Sequence, residues 1–345
     1  MNKEELINQI NTYFPEQVLD LVKSLVVASV GFVPIPEDSS PGSSRFGGLP
    51  DLPPAIEWPF RPKTDATRLA ELGGSSHRKH ILRHLEQPLP LSFVAQIDLA
   101  EARRLGNVTA SLPDSGRLLF FYDMALGPWD DSPQTARVIW DRSPVAELGK
   151  AKLPQRLRDL ETQARQEYIE TMKQSGLTPE ADVNFGYLAP ARPMRLMEQW
   201  SLQSLATAEA TELGDFDEID AGDGDEPLSL YDHYSSFDPE EAKQSEESFG
   251  YHGHRLLGLP DPEQDDPRYV PAFNDFLAGR PESNELRENF FSNTSARALK
   301  WHLLLQVDVA LWLQTLGEGT VYFLIHEDDL KNRHFDRVWA VYQQT

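Results

Sequence analysis

The chain has 345 residues, 40% of them hydrophobic, and its 55 acidic residues against 32 basic ones give a formal net charge of −23. It contains no cysteine, which excludes disulfides, cysteine-ligated metal centres and cysteine nucleophiles, and its negative charge opposes binding to nucleic acid and to anionic membranes. The N-terminus has no signal-peptide pattern, and the most apolar run (residues 24–33) is about half the ~20 residues that a membrane span needs, so we expect a cytoplasmic protein.

The first part of the chain is predicted to contain helices followed by strands. Apolar residues recur with helical spacing at 6–10 and again at 18–26, so we expect two N-terminal helices in residues 1–33, the second ending at Gly31. Residues 34–62 are rich in Pro, Gly and Ser and predict irregular backbone. The strands predicted next are Leu91–Asp98, Arg117–Asp123 and Ala136–Asp141.

The middle of the chain, residues 143–254, is interpreted as a helical and acidic insert that lies outside or alongside the core. An apolar stripe predicts a helix from Leu153 to near Gly176, and a second helix is predicted over Pro193–Leu213. Glu209 to Glu226 then contains nine acidic residues and no basic one. The strands predicted after this segment are Trp301–Asp308, Thr320–His326 and Val338–Tyr342.

Two parts of the chain resemble each other. GLPDLP at 48–53 returns as GLPDP at 258–262, and QID at 96–98 returns as QVD at 306–308. In both copies an aromatic strand and then a strand with a tryptophan (Trp140, Trp339) follow in the same order. We therefore predict an α+β fold in which two similar sheet-rich repeats, residues 34–142 and 255–345, pack into one core.

The same residues carry a family resemblance. They are RFGGLP (45–50), WP (58–59), PLSFVAQID (90–98), HRLLGLPD (254–261), LLQVD (304–308) and YFLI (322–325). With these motifs the chain resembles the YwqG-like family of bacterial proteins. The resemblance implies an α+β fold built from two similar halves and no established reaction. Residues 64–87 and the acidic segment depart from the family pattern, so no role is carried over to them.

Five polar residues are the candidate ligand-binding site. Strand alternation places Gln96 and Asp98 on the face opposite the apolar residues, and the same holds for Gln306 and Asp308, so two repeats could bring four polar side chains to one cleft. Arg45, beside a glycine pair, could hold an anion there. The structural alternative is that these residues end strands and hydrogen-bond the following turns, and that the glycine pair forms a tight turn with positive φ.

Three further segments are candidates for metal or partner binding. His77, His80 and His84 are spaced for one helical face and could ligate zinc or nickel, but interleaved basic residues favour a solvated surface segment instead. His252 and His254 alone make an incomplete metal site. The acidic segment does not fit a calcium-binding EF-hand in either register. We therefore predict no metal and no cofactor, and residues 209–247 are either a solvated linker or a docking arm for a basic protein.

Catalytic templates do not match the sequence, since it has no GxSxG motif, no phosphate-binding loop and no dinucleotide fingerprint. Whether the chain is an enzyme stays open. The leading hypothesis is a binding or interaction protein, by analogy an immunity-type or accessory factor. The alternative is an enzyme or small-ligand binder that uses a cleft between the repeats.

Overall fold

The computed structural model describes residues 1–36, 40–63, 74–222, 228–237, 253–278, 290–314 and 317–344. Its helices are α1 (Lys3–Tyr13), α2 (Leu19–Ser24), α3 (Gly74–Leu85), α4 (Leu99–Arg103), α5 (Gln155–Gln174), α6 (Ala208–Leu213), α7 (Leu230–Ser235), α8 (Tyr269–Leu277), α9 (Phe290–Ala298), α10 (Val309–Leu313) and α11 (Glu327–Asn332). Its strands are β1 (Val26–Pro34), β2 (Arg45–Phe46), β3 (Asp51–Leu52), β4 (Ser92–Asp98), β5 (Arg117–Tyr122), β6 (Ala136–Asp141), β7 (Gly149–Lys150), β8 (Arg192–Leu202), β9 (Arg255–Leu256), β10 (Trp301–Asp308), β11 (Thr320–His326) and β12 (Trp339–Gln343).

Ten strands form one antiparallel sheet in the order β12-β11-β10-β9-β1-β8-β2-β4-β5-β6, while β3 and β7 pair separately. The two ends of the large sheet approach each other. Thr135 Oγ1, next to β6, donates to the carbonyl oxygen of Ala340 in β12 at 3.5 Å, and Arg137 Nη1 donates to that of Asp336 at the same distance. The protein therefore has a mixed helix and strand fold with a nearly closed sheet, which has an inner and an outer face.

The inside of the sheet is filled by alternating strand residues from both ends of the chain. Phe120 of β5 and Phe323 of β11 are fully buried, and their ring centroids lie 5.2 Å apart. Side chains alternate along a strand, so the next residues of β5, Leu119 and Phe121, face outward. There they pack with Leu52 and neighbouring apolar residues. The outer face of β10 and β11 is covered in part by residues of α8 and α9.

A second apolar cluster joins the N-terminal helices to residues 208–237. Leu6 and Ile10 of α1 are fully buried there, together with Leu230 of α7. Phe216 and Tyr234 complete the contact from the same acidic segment. The described part of this segment is thus packed onto α1 and α2 and is not a solvated linker.

Two sequence-based expectations differ from the structure. The helix predicted over Pro193–Leu213 is wrong, because β8 occupies Arg192–Leu202 at the centre of the sheet and only Ala208–Leu213 is helical. Met194 and Leu196 are buried on alternate positions, which is strand spacing. The second N-terminal helix ends at Ser24 and not at Gly31, since the β-branched run that follows forms β1.

Most of the other predicted elements are confirmed. The structure has strands at all six predicted places, with bounds that differ by at most one residue, and the long helix is α5.

Trp140 and Trp339 do not correspond in register, because Trp140 lies opposite Leu118 and Trp339 opposite Leu324. Among the described residues, no helix is long and apolar enough to cross a membrane.

Candidate functional site

Arg45 and Gln96 are register partners on β2 and β4 and hold the loop that follows β2. Gln96 is fully buried; its Oε1 accepts from the backbone N–H of Asp51 at 3.0 Å, and its Nε2 donates to the carbonyl of Ser43 at 2.9 Å. Arg45 Nη1 donates to Asp51 Oδ2 at 2.8 Å. Burial raises the pKa of Asp51, but the hydrogen bonds from Arg45 and from the Gly42 N–H outweigh it, and the pKa is lowered.

Arg255 and Gln306 make matching contacts in the other half of the sheet. They are register partners on β9 and β10. The Gln306 side chain is buried, and its Oε1 accepts from the backbone N–H of Asp261 at 2.9 Å. Arg255 Nη1 donates to the carbonyl of Leu259 at 2.9 Å. Each glutamine therefore satisfies a backbone donor in the loop that precedes it in the chain.

Asp98 and Asp308 cap the short helices that follow their strands. Asp98 Oδ1 accepts from the N–H of Ala100 at 2.9 Å, and Asp308 Oδ1 accepts from that of Leu311 at 2.8 Å. A carboxylate at this position satisfies a free N–H in the first turn of a helix. The spacing of the QxD segments thus reflects a strand followed directly by a capped helix.

The glycine pair after Arg45 forms a turn in the left-handed region, with φ of 60° at Gly47 and 71° at Gly48. A side chain on Gly47 would lie 2.1 Å from the carbonyl oxygen of Pro190, so only glycine fits. The backbone there forms a tight turn with positive φ, as the structural alternative predicts.

All five predicted binding residues have a contact of their own in the fold. Gln96 bonds to Ser43, just before β2, and to Asp51 in β3, whereas Gln306 accepts from Asp261 in the loop after β9. A shared ligand site for Arg45, Gln96, Asp98, Gln306 and Asp308 stays a prediction, and the contacts of these side chains are those of the structural alternative.

The histidine cluster is only partly described. The side chains of His77 and His80 on α3, and all of His252, lie outside the described residues. His84 is buried at 2% exposure, which differs from the solvated surface that its basic neighbours led us to expect. Within the described part of the chain, no group of three or more His, Asp or Glu side chains could hold a metal ion.

Two buried arginines form ion pairs that the sequence patterns do not predict. Arg61 Nη1 donates to Asp123 Oδ2 at 2.6 Å, its Nη2 contacts Asp130, and all three side chains are buried. Burial raises the pKa of Asp123 in spite of the arginine. Arg268 is likewise bound to Asp266 and to Glu209. No local pattern could have paired Arg61 with a residue 62 positions away.

His254 is a buried imidazole between the two halves of the sheet. It is 8% exposed, and its ring stacks on Phe46 with centroids 3.8 Å apart. Neither ring nitrogen has a hydrogen-bond partner among the described residues. Burial, with a smaller contribution from Arg192, lowers the pKa of His254 to about 3, so the ring is neutral at neutral pH.

The described part of the acidic segment forms an ordered surface. We call it the acidic surface: residues 209–222 and 228–237 with Tyr13, which packs against it at 4.6 Å from the His233 ring. Residues 209–237 contain no lysine or arginine. Its exposed acidic residues are Glu212, Asp215, Asp217, Glu218, Asp220 and Asp232. Its exposed large apolar side chains are Tyr13, Leu213, Leu228 and Tyr231.

Local hydrogen bonds shape the acidic surface. The carboxylates of Asp215 and Asp220 accept from backbone N–H groups two residues later, at 3.0 Å and 2.9 Å. Gln17 Nε2 also donates to the carbonyl of Gly222 at 3.0 Å, which attaches the surface to the N-terminal region. The carboxylate of Glu209 is instead paired with Arg268. The other carboxylates are therefore presented to solvent on a fixed framework.

Comparison with known proteins places the chain in a family. No curated protein matches it. The model of one protein family, described as "Domain of unknown function (DUF1963)", matches residues 44–343, which extend from the residue before β2 to the end of β12. Because this match covers most of the chain, the protein belongs to the DUF1963 family.

Proposed function

We propose that this chain is a binding protein that docks a positively charged protein segment on the acidic surface. The observation that carries the proposal is the combination of charge and apolar exposure on one ordered surface. Leu213 is 49% exposed, Tyr231 47% and Leu228 39%, and exposed carboxylates surround them in the sequence. Aromatic and aliphatic anchors within a charged rim are typical of protein interfaces.

The charge of the surface selects the class of partner. The acidic surface contains seven acidic residues and no lysine or arginine, and in the sequence the whole segment 209–247 carries −14 of the net charge of −23. Such a field accelerates encounter with a basic protein and disfavours acidic partners and nucleic acid. A basic amphipathic helix, with lysines around an apolar stripe, has the matching chemistry.

The contacts inside the fold support a binding role for this surface more than for the QxD residues. The side chains of Gln96 and Gln306 are buried and engaged by backbone groups. The carboxylates of the acidic surface, apart from Glu209, face solvent. We infer no enzymatic role, and an immunity-type or accessory role remains our proposal by analogy.

We also propose that the sheet derives from two copies of one unit, as the YwqG-like resemblance implies. Equivalent pairs support this: Arg45 faces Gln96 and Arg255 faces Gln306, and both glutamines bind a backbone N–H 45 residues earlier. The sheet order is also symmetrical about the β1–β8 pair.

Affinity capture from the native host tests the proposed function. The bait is the full chain, compared with a variant in which Asp215, Asp217, Glu218 and Asp220 are changed to Asn or Gln. These residues are exposed, so the fold should be retained, as circular dichroism would verify. We expect the full chain to retain a basic partner that the neutralised variant loses.

A matched control neutralises four exposed acidic residues elsewhere: Asp159, Glu170, Glu180 and Asp182. It has the same net charge as the test variant and should keep the partner. Recovery of the same partner with both variants, or of no partner with the unchanged chain, would contradict the proposal.

A further inference from the structure

His254, which directly precedes β9, has a buried ring whose two nitrogens make no hydrogen bond with any described residue. The ring stacks on Phe46 with 23° between the two planes, and Phe32 meets it edge to face at 6.4 Å. These contacts are made by the carbon surface of the ring, whereas the nitrogens point outward in the ring plane. Buried polar groups of native proteins are nearly always hydrogen-bonded, so the nitrogens of His254 point to a polar partner.

The fold brings Arg192 of β8 to the same place. Arg192 is the register partner of Phe46 on β2. Register partners in an antiparallel pair project from the same face of the sheet, with Cβ atoms about 4.5–5.5 Å apart. Arg192 and His254 therefore both lie beside the Phe46 ring. The positive charge of Arg192 contributes to lowering the pKa of His254, which agrees with this placement.

The two side chains differ in their access to solvent. His254 is buried, whereas Arg192 is half-buried, and this partial burial lowers the pKa of Arg192. Phe32 and Met194 are buried in the same apolar cluster as Phe46. A small molecule that enters past the guanidinium of Arg192 would thus meet apolar side chains and the imidazole behind it.

The donors at this place favour an anion. A guanidinium offers several N–H donors in one plane and no acceptor, and a neutral imidazole adds one further donor. The positive charge of Arg192 opposes a metal cation, which the nitrogens of His254 could otherwise bind. Apolar neighbours favour a ligand with a single charge and an apolar body over phosphate, because a second charge would also have to lose its water. We propose that Arg192 and His254 bind the carboxylate of a small organic acid, whose apolar part lies against Phe32 and Phe46.

NMR of the histidine Cε1–H groups of the full chain at pH 7 tests this site, with butyrate and hexanoate as probes. The chain has nine histidines, and the His254 signal is the one that His254→Asn removes. This signal should shift saturably with either acid, and inorganic phosphate should bind at least tenfold more weakly than hexanoate. Absence of a saturable shift with both acids, or phosphate binding as tight as that of hexanoate, would overturn the proposal.

Substitutions on β8 locate the carboxylate. Arg192→Met should weaken hexanoate binding at least tenfold, whereas Arg195→Met, which removes the same charge from an exposed position on the opposite face of β8, should change it less than twofold. Arg192→Lys retains the charge in case Arg192→Met does not fold, and should still weaken binding at least threefold, because an ammonium group cannot pair with both carboxylate oxygens at once.

His254→Phe retains a ring on Phe46 and removes both nitrogens, so hexanoate should raise the Tm of this variant less than that of the unchanged chain. An equal loss of binding in the variants of Arg192 and Arg195, or an undiminished rise in the Tm of His254→Phe, would overturn the proposal. The acidic surface takes no part in these measurements, so this proposal and the proposed function can fail separately.

Discussion

Because His254 is buried and neutral, we expect the protein to lose stability in mild acid. In the folded chain its pKa is about 3, whereas in the unfolded chain it has the ordinary value of 6.5. Below pH 6.5 the unfolded chain therefore binds a proton that the folded chain does not bind. The contribution is fully present above the unfolded pKa and is lost as the pH falls from 6.5 towards 3.

The magnitude follows from the two pKa values. The gap between the folded and the unfolded pKa of His254 lowers the free energy of unfolding by about 2 kcal/mol when the pH falls from about 7.5 to 5. Replacement of the ring by a group that does not titrate should remove this loss. His254→Phe keeps an aromatic ring on Phe46, and His254→Asn provides a smaller side chain in case phenylalanine does not fit.

Urea unfolding, followed by far-UV circular dichroism at a series of pH values from 7.5 to 5, measures the effect. The reference is the unchanged chain, and the quantity compared is the change in free energy with pH, so that a variant of different absolute stability remains informative. If both variants lose stability with acidification as steeply as the unchanged chain does, the assignment of the acid loss to His254 is refuted.

Three further predictions concern buried polar contacts. Gln96→Leu and Gln306→Leu should each lower the free energy of unfolding by about 1–3 kcal/mol, since each leaves a backbone N–H without its acceptor. Gln96→Leu should lower it more, because Gln96 also donates two hydrogen bonds. Equal urea midpoints for the two variants would contradict this order. Arg61→Met should lower the free energy of unfolding by about 3–5 kcal/mol, because it leaves two buried carboxylates without their arginine. Adding Asp123→Asn should recover part of that loss. A double variant no more stable in urea than Arg61→Met alone would argue against this ion pair. Burial raises the pKa of Glu209, but the hydrogen bond and charge of its arginine partner lower it overall, so its stabilisation is present above pH 4.5 and lost on acidification. Glu209→Gln should thus make thermal unfolding less sensitive to pH below 4.5, and an unchanged sensitivity would count against this ion pair.

The candidate site shows how far sequence reasoning extends. The QxD segments correctly identified two strand ends, but they did not show that each glutamine would bind a backbone N–H 45 residues away. The acidic segment was visible as composition. That its described part would pack through Phe216 and Leu230 onto α1 could not be read from charge, because isolated apolar residues in an acidic run have no distinctive period.

The amino-acid sequence by itself determined the local features of this protein: the six strands, α1, the long helix α5 and the glycine turn at Gly47. These depend on alternation, helical period and turn chemistry, which act over a few residues. Only the tertiary structure decided that β8 is a central strand, that Arg61 lies between two distant carboxylates and that His254 is buried without a hydrogen-bond partner among the described residues. The physical reason is that burial and pairing join residues that are far apart in the chain, and these contacts override a weak local preference.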